Sequence, residues 1–296
     1  MTLLIAYDGS ECANAALDEL RHAGLPDACD ATILSVVELA PTPEEPREIL
    51  ATDEGVHEMR ALAAQAAARL RLEFPAWHVQ THLLRGVARK AVVKQAQLGR
   101  PDLLVLGCHG RSNLVQFYLG SVTRAVLDSM PCSVRIGRRA RTNLQEPLRL
   151  LVGFNDSPHA RATIEAVAGR KWPAGAQVRI LNVLETDMAL VGGGDELREG
   201  EGLRMSDYEE MRSEGMEPLL QASGELDGAG LSSTPLLRNG DASQLLLEEA
   251  DRCDADCIFV GAGDWGAANP VRLGEVAAHV AIRARCSVEI ILPGSE

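Results

Sequence analysis

Short apolar runs alternate with amphipathic stretches along the whole chain, and each run has the length of a strand. Runs over 2–7, 31–37, 78–84, 102–107 and 132–137 are rich in Leu, Ile and Val and predict strands. After Ser10, a residue type that caps helices, Ala13, Ala16, Leu17 and Leu20 fall on one helical face. The Ala-rich stretch 56–73 and the segments 87–98 and 120–129 complete the predicted helices. Near-continuous apolar strands alternating with helices predict a parallel sheet covered on both faces.

The pattern then starts again. Leu3-Leu-Ile-Ala-Tyr-Asp-Gly-Ser10 lies over Leu150-Leu-Val-Gly-Phe-Asn-Asp-Ser157, and Thr32-Ile-Leu-Ser-Val36 over Arg179-Ile-Leu-Asn-Val183, both at an offset of 147. Arg85-Gly86, Gly107, Gly120 and Cys132-Ser-Val134 recur as Asn239-Gly240, Gly261, Gly274 and Cys286-Ser-Val288 at an offset of 154. Ordered matches at two constant offsets predict a tandem duplication, with seven residues gained in the second middle. The second half is expected to place strands near 149–154, 177–184, 231–237, 256–261 and 286–292. Domains of 1–140 and 148–296 follow, with 141–147 as linker inside the polar segment Arg138–Pro147. The Pro- and Glu-rich 40–48 and the acidic, glycine-rich Gly192–Gly202 read as surface loops.

The stretch that carries chemistry is Gly107-Cys-His-Gly110-Arg-Ser-Asn-Leu-Val-Gln-Phe-Tyr-Leu-Gly120-Ser121. It follows the run Asp102–Leu106 and leads into a predicted helix. Glycines let a backbone approach a ligand closely, and a helix N-terminus offers unpaired N–H groups and a partial positive charge. Such a loop can hold an anion. Ser121 can cap the helix or donate its hydroxyl to a ligand oxygen. Asp8 reads either as a ligand-binding carboxylate or as the cap of the first helix.

The spacing Gly-x2-Gly-x9-Gly-Ser, with Asp8-Gly-Ser after the first strand and Gly86 before the third helix, resembles the ATP-binding signature of the universal stress protein family. The resemblance covers the chain twice. It implies an α/β fold of the adenine nucleotide alpha hydrolase type, with two tandem five-stranded parallel sheets of strand order 3-2-1-4-5. Ligands of such sheets sit beyond the carboxyl ends of the strands, at the switch point between the first and fourth. Carried over by position, Asp8 would lie by the ribose and adenine, and Val36 would meet the adenine through its backbone. Leu106, Gly107, His109 and Gly110 would wrap the nucleotide, while Gly120, Ser121 and Val122 hold the phosphates. Arg111 stands where it can help, though the family pattern does not require it. His109 has four readings: a backbone contact, an exposed loop histidine, a metal-bridging group or a catalytic base. The resemblance also implies ATP as ligand, with or without Mg²⁺, a stress-response setting, an unidentified protein partner and pairing of the last strands near Val134 and Val288 in an intramolecular pseudo-dimer. A homodimer of the whole chain is a further open possibility.

The second half departs from the motif. Asn155 replaces Asp8, Asp264 replaces Gly110 and Glu275 replaces Ser121. Two carboxylates would face the phosphates of ATP, and like charges a few Å apart cost on the order of a few kcal/mol in a partly desolvated site. The second site is therefore expected to be closed to ATP, with Glu275 satisfying the helix N–H groups. A cation site or a different ligand is the alternative.

Composition narrows the function classes. The net charge is −13, which disfavours nucleic acid or an anionic membrane as partner. Residues 1–147 carry 16 basic and 17 acidic side chains, residues 148–296 carry 13 and 25, so the excess lies in the second half. The seven cysteines show no disulfide framework, and with no signal-peptide pattern the expectation is a cytoplasmic protein with reduced thiols. Cys253-x3-Cys257 has loose metal spacing but no clustered His, and reads as an incidental thiol pair. No Gly-x4-Gly-Lys-Ser/Thr, nucleophile elbow or His-Glu-x2-His occurs. The expected function is nucleotide-dependent regulation. A slow ATPase or an interaction scaffold with a vestigial site are the alternatives.

Overall fold

A computed structural model describes residues 1–38, 53–108, 119–138, 146–185, 191–192, 203–263 and 273–293. The first half contains β1 (Thr2–Ala6), α1 (Glu11–Asp18), a 3₁₀ turn (Glu19–His22), β2 (Asp30–Val37), α2 (Asp53–Glu73), β3 (His78–Arg85), α3 (Ala88–Gly99), β4 (Leu103–Gly107), α4 (Ser121–Ser129) and β5 (Ser133–Gly137). The second contains β6 (Arg149–Gly153), α5 (Pro158–Ala168), β7 (Gln177–Leu184), the two-residue strands β8 (Val191–Gly192) and β9 (Leu203–Arg204), α6 (Met205–Gly228), β10 (Ser232–Asn239), α7 (Ala242–Cys253), β11 (Cys257–Gly261), α8 (Glu275–Arg283) and β12 (Ser287–Ile291). The loops expected over 40–48 and within Gly192–Gly202 fall on residues 39–52 and 193–202, outside the described residues.

Each half has the strand order 3-2-1-4-5, and the two are joined in one ten-stranded sheet, β10-β7-β6-β11-β12-β5-β4-β1-β2-β3. All neighbours within a half are parallel. The junction of β5 with β12 is antiparallel, with Val288 opposite Ile136, Glu289 opposite Arg135 and Ile290 opposite Val134. The expected pairing of the last strands near Val134 and Val288 is present and joins the two five-stranded sheets into one; it removes two edges that would otherwise expose free backbone groups. Pro235 lies in β10, an outer strand of the sheet, where one side has no ladder to donate to.

The duplication holds at residue level. Leu3 pairs with Leu103 as Leu150 pairs with Cys257, and Asp30 pairs with His78 as Gln177 pairs with Ser232. These are the offsets of 147 and 154 read from the sequence. Strand side chains alternate between faces. One face of the sheet, with α3, α4, α7 and α8, buries a single core through both halves, including Leu104, Val134, Ile136, Ile258, Val288 and Ile290. The opposite face holds two separate cores. Leu3, Ile5 and Ile33 pack against α1 and α2 in one, and Leu150, Val152 and Ile180 against α5 and α6 in the other. Between those two cores stand Arg135 and Glu289.

Candidate functional site

The carboxyl ends of β1, β2 and β4 meet at the N-terminus of α4. Asp8 follows β1 and is half-buried. Its Oδ1 accepts the N–H of Ser10 at 2.9 Å, an Asx turn that holds the carboxylate at the strand end. The cap of α1 is Ser10, whose Oγ accepts the N–H of Ala13 at 3.2 Å. Asp8 is thus not the helix cap, which removes one of its two readings. Val36 lies next to last in β2, half-buried and opposite Leu84 of β3. Beside it, buried Ser35 donates its hydroxyl to the Tyr7 carbonyl at 2.7 Å and ties the ends of β1 and β2 together. Gly86 turns the chain into α3 at φ +140, a conformation that a side chain rarely adopts.

Leu106 and Gly107 end β4, the strand next to β1. A Cβ on Gly107 would come within 2.7 Å of the Cys12 carbonyl carbon and 2.8 Å of the Ala13 nitrogen. The residue is glycine because α1 lies directly on the strand here, a packing reason that exists without any ligand. Its carbonyl accepts the hydroxyl of buried Thr123 at 3.0 Å, which fixes α4 over β4. Gly120 is the N-cap of α4 and offers no side chain for capping; its N–H donates to the Cys108 carbonyl at 2.9 Å. Ser121 is the first helical residue and is exposed, and half-buried Val122 follows. Ser121 is therefore not the cap. Among the described residues no side chain caps the first turn of α4, and N–H groups at a helix start can receive an anion. His109, Gly110 and Arg111 lie outside the described residues.

The second half builds the same frame. Gly240 has φ +136, Gly274 caps α8, and a Cβ on Gly261 would meet His159 Cβ at 2.7 Å. Asn155 accepts the N–H and the hydroxyl of Ser157 at 3.3 and 2.7 Å, and Ser157 caps α5. The crevice here is not closed by bulk. About 850 Å³ remains open between Asn155, Asn182, Gly215, Gly261 and Glu275. Glu275 is an exposed first-turn residue of α8, and among the described residues no side chain caps that helix. The expectation that Glu275 satisfies the helix N–H groups is corrected on this point. Among the described residues the lining includes Asp156, Glu185, Glu214 and Glu275 and no Lys or Arg, so the described part of this crevice is acidic. Asp264 lies outside the described residues.

One feature of the site did not figure in the sequence reading. Cys12 and Cys108 meet thiol to thiol beside Gly107, with Sγ atoms 3.2 Å apart, while His159 and Ala262 stand at the equivalent positions. The repeat offsets carried that signal, since they align Cys12 with a buried histidine. Cys253 ends α7 and is half-buried, and Cys257 is buried in β11 within 3.5 Å of Arg135 Nη1. Among the described residues no three His, Cys, Asp or Glu side chains gather as a metal site. None of the described helices is long and apolar enough to cross a membrane.

Comparison with known proteins agrees with this architecture. Residues 1–138 and 148–291 each match the model of the universal stress protein family. A 125-residue stretch, 42% of this chain, is 30% identical to the universal stress protein Slr1230 of Synechocystis and covers 38% of that protein. A 145-residue stretch, 47% of the chain, is 26% identical to the universal stress protein MJ0531 of Methanocaldococcus jannaschii and covers 82% of it. The fold superposes along 99% of the chain on 98% of a universal stress protein from Archaeoglobus fulgidus, with a TM-score of 0.65 and 20% identity. With the family model matched twice, in two halves of identical strand register, this chain belongs to the universal stress protein family.

Proposed function

We propose that the first half binds ATP and that nucleotide occupancy regulates the protein's interactions. The proposed units are 1–140 and 148–296. The nucleotide lies over the carboxyl ends of β1, β2 and β4. Asp8 takes the ribose and adenine side, and Val36 the adenine through its backbone. Leu106, Gly107, His109, Gly110 and Arg111 surround the nucleotide, and Gly120, Ser121 and Val122 hold the phosphates. The observation that carries this reading is the division of labour at the strand ends. Ser10 caps α1 while Asp8 is held as a positioned carboxylate at the end of β1, and among the described residues no side chain caps α4. Backbone N–H groups at a helix start can bind phosphate without Lys or Arg. Mg²⁺, where it accompanies ATP, would be held largely by the phosphates and water.

The test is titration of the purified chain with ATP, together with quantification of adenine nucleotide released on denaturation. One nucleotide per chain is expected. Gly110→Asp, which copies Asp264 of the second half, is expected to abolish binding and leave the far-ultraviolet dichroism unchanged. Retained affinity in that variant would remove the phosphate-loop assignment, and failure of the wild-type chain to bind would favour an interaction scaffold.

A further inference from the structure

We propose that Cys12 and Cys108 form a redox modification site, in which hydrogen peroxide closes a reversible disulfide between α1 and the chain that leaves β4. The two residues are 96 positions apart, yet their sulfurs stand 3.2 Å from one another. A disulfide needs roughly 2.05 Å, so the sulfurs must approach by only about 1 Å. The backbone is held for this. A Cβ on Gly107 would press on the backbone of Cys12 and Ala13 at 2.7–2.9 Å, and Ser10 fixes the start of α1. The pair is confined to the half that carries the full glycine motif, because the duplicate has His159 and Ala262 at these positions.

Exposure and burial divide the roles. Cys12 is half-buried and the more accessible of the two, and Cys108 is buried. Burial, with the neighbouring Cys12 thiol, pushes the Cys108 thiol up to about 12. Cys12 is therefore the thiol that meets the oxidant, and Cys108 the one that resolves it. In the first step an electron pair on Cys12 sulfur attacks one peroxide oxygen and the O–O bond breaks. The thiol proton leaves with the other oxygen as water, which gives a sulfenic acid. In the second step Cys108 sulfur attacks Cys12 sulfur, the S–O bond breaks, and the hydroxyl leaves with the Cys108 proton as a second water. Two thiols are oxidised and one hydrogen peroxide is reduced. The new bond ties the residue whose carbonyl holds the Gly120 N–H to the first turn of α1.

The test treats the reduced, nucleotide-free full chain with hydrogen peroxide. Remaining thiols are then alkylated and the peptides mapped by mass. The expected result is one Cys12–Cys108 cross-linked peptide and a loss of 2 Da per chain, reversed by dithiothreitol. It should be absent from Cys12→Ser and from Cys108→Ala, the latter copying Ala262. Accumulation of Cys12 as sulfinic or sulfonic acid with an intact Cys108 thiol would overturn the proposal, as would a cross-link elsewhere. The wild-type map needs no variant to fold and contains no nucleotide, so its outcome is separate from that of the ATP titration.

Discussion

Arg135 and Glu289 stand directly opposite each other across the antiparallel junction of β5 and β12, with Arg135 Nη1 2.9 Å from Glu289 Oε2 and side chains 3% and 0% exposed. Arg170, from the turn after α5, donates to the same carboxylate. Glu289 is held below the ordinary carboxylate range. Burial opposes this, and is outweighed by the attraction and hydrogen bonds of Arg170 and Arg135. The group fills the gap between the two cores on that face of the sheet. Glu289→Gln leaves Arg135 and Arg170 facing a buried neutral amide, with Glu19, 3.8 Å from Arg135, as a nearby carboxylate. Loss of one partner of a buried pair costs about 3–5 kcal/mol. We expect a loss of that size in urea unfolding, and a double variant with Arg135→Met whose loss differs from the sum of the two single losses, since the two side chains share one network.

Glu19, also buried at this junction, should make stability fall as pH rises. Burial pushes its carboxyl up to about 7, against the pull of Arg135 and the hydroxyl of Ser287. A group raised in the folded state contributes stability that is fully present below its unfolded value of 4.5 and is lost as pH rises through the folded value of about 7. The shift corresponds to about 3 kcal/mol. Denaturant midpoints measured from pH 5 to 8.5 should fall for the wild-type chain. Glu19→Gln should remove that part of the slope. Glu289 is ionised throughout this range and leaves the sign unchanged.

Gly107→Ala should destabilise the first half whether or not nucleotide is present. The added methyl would sit 2.7–2.9 Å from the backbone of Cys12 and Ala13, and backbone cannot rotate away as a side-chain tip can. Overpacking of this kind costs about 1–3 kcal/mol. Thermal unfolding of the ligand-free chain checks it. An unchanged Tm would mean that α1 shifts freely on β4.

Ser121→Glu, which copies Glu275, should weaken ATP binding about tenfold or more without loss of fold. Ser121 is exposed on the first turn of α4, so the carboxylate would compete with phosphate for the helix N–H groups. Calorimetric titration measures the effect. Equal affinity would place the phosphates away from α4.

Much of this was legible in one dimension. Alternation of apolar runs and amphipathic stretches located the strands and helices because period and burial are local properties of the chain. The two offsets predicted a duplication, and the register repeats between the halves at those offsets because duplicated strands inherit the same pairing surfaces. The positions of Asp8, Val36, Leu106 and Gly120 at neighbouring element ends followed from strand order.

Only the tertiary structure decided which local option each polar residue takes. Ser10 and Asp8 are both fit to cap α1, and hydrogen-bond geometry assigns the cap to Ser10. Gly107 reads as a loop glycine until α1 is seen lying on its Cα. Arg135 and Glu289 lie 154 positions apart in strands that otherwise read as apolar, and Cys12 and Cys108 lie 96 apart. No local pattern can join them, because their proximity is produced by the sheet crossing from one half to the other and by the helix folding back over its strand. The sequence alone determined the elements, the duplication and the family's motif; long-range packing determined the fused sheet, its buried charges and its facing thiols.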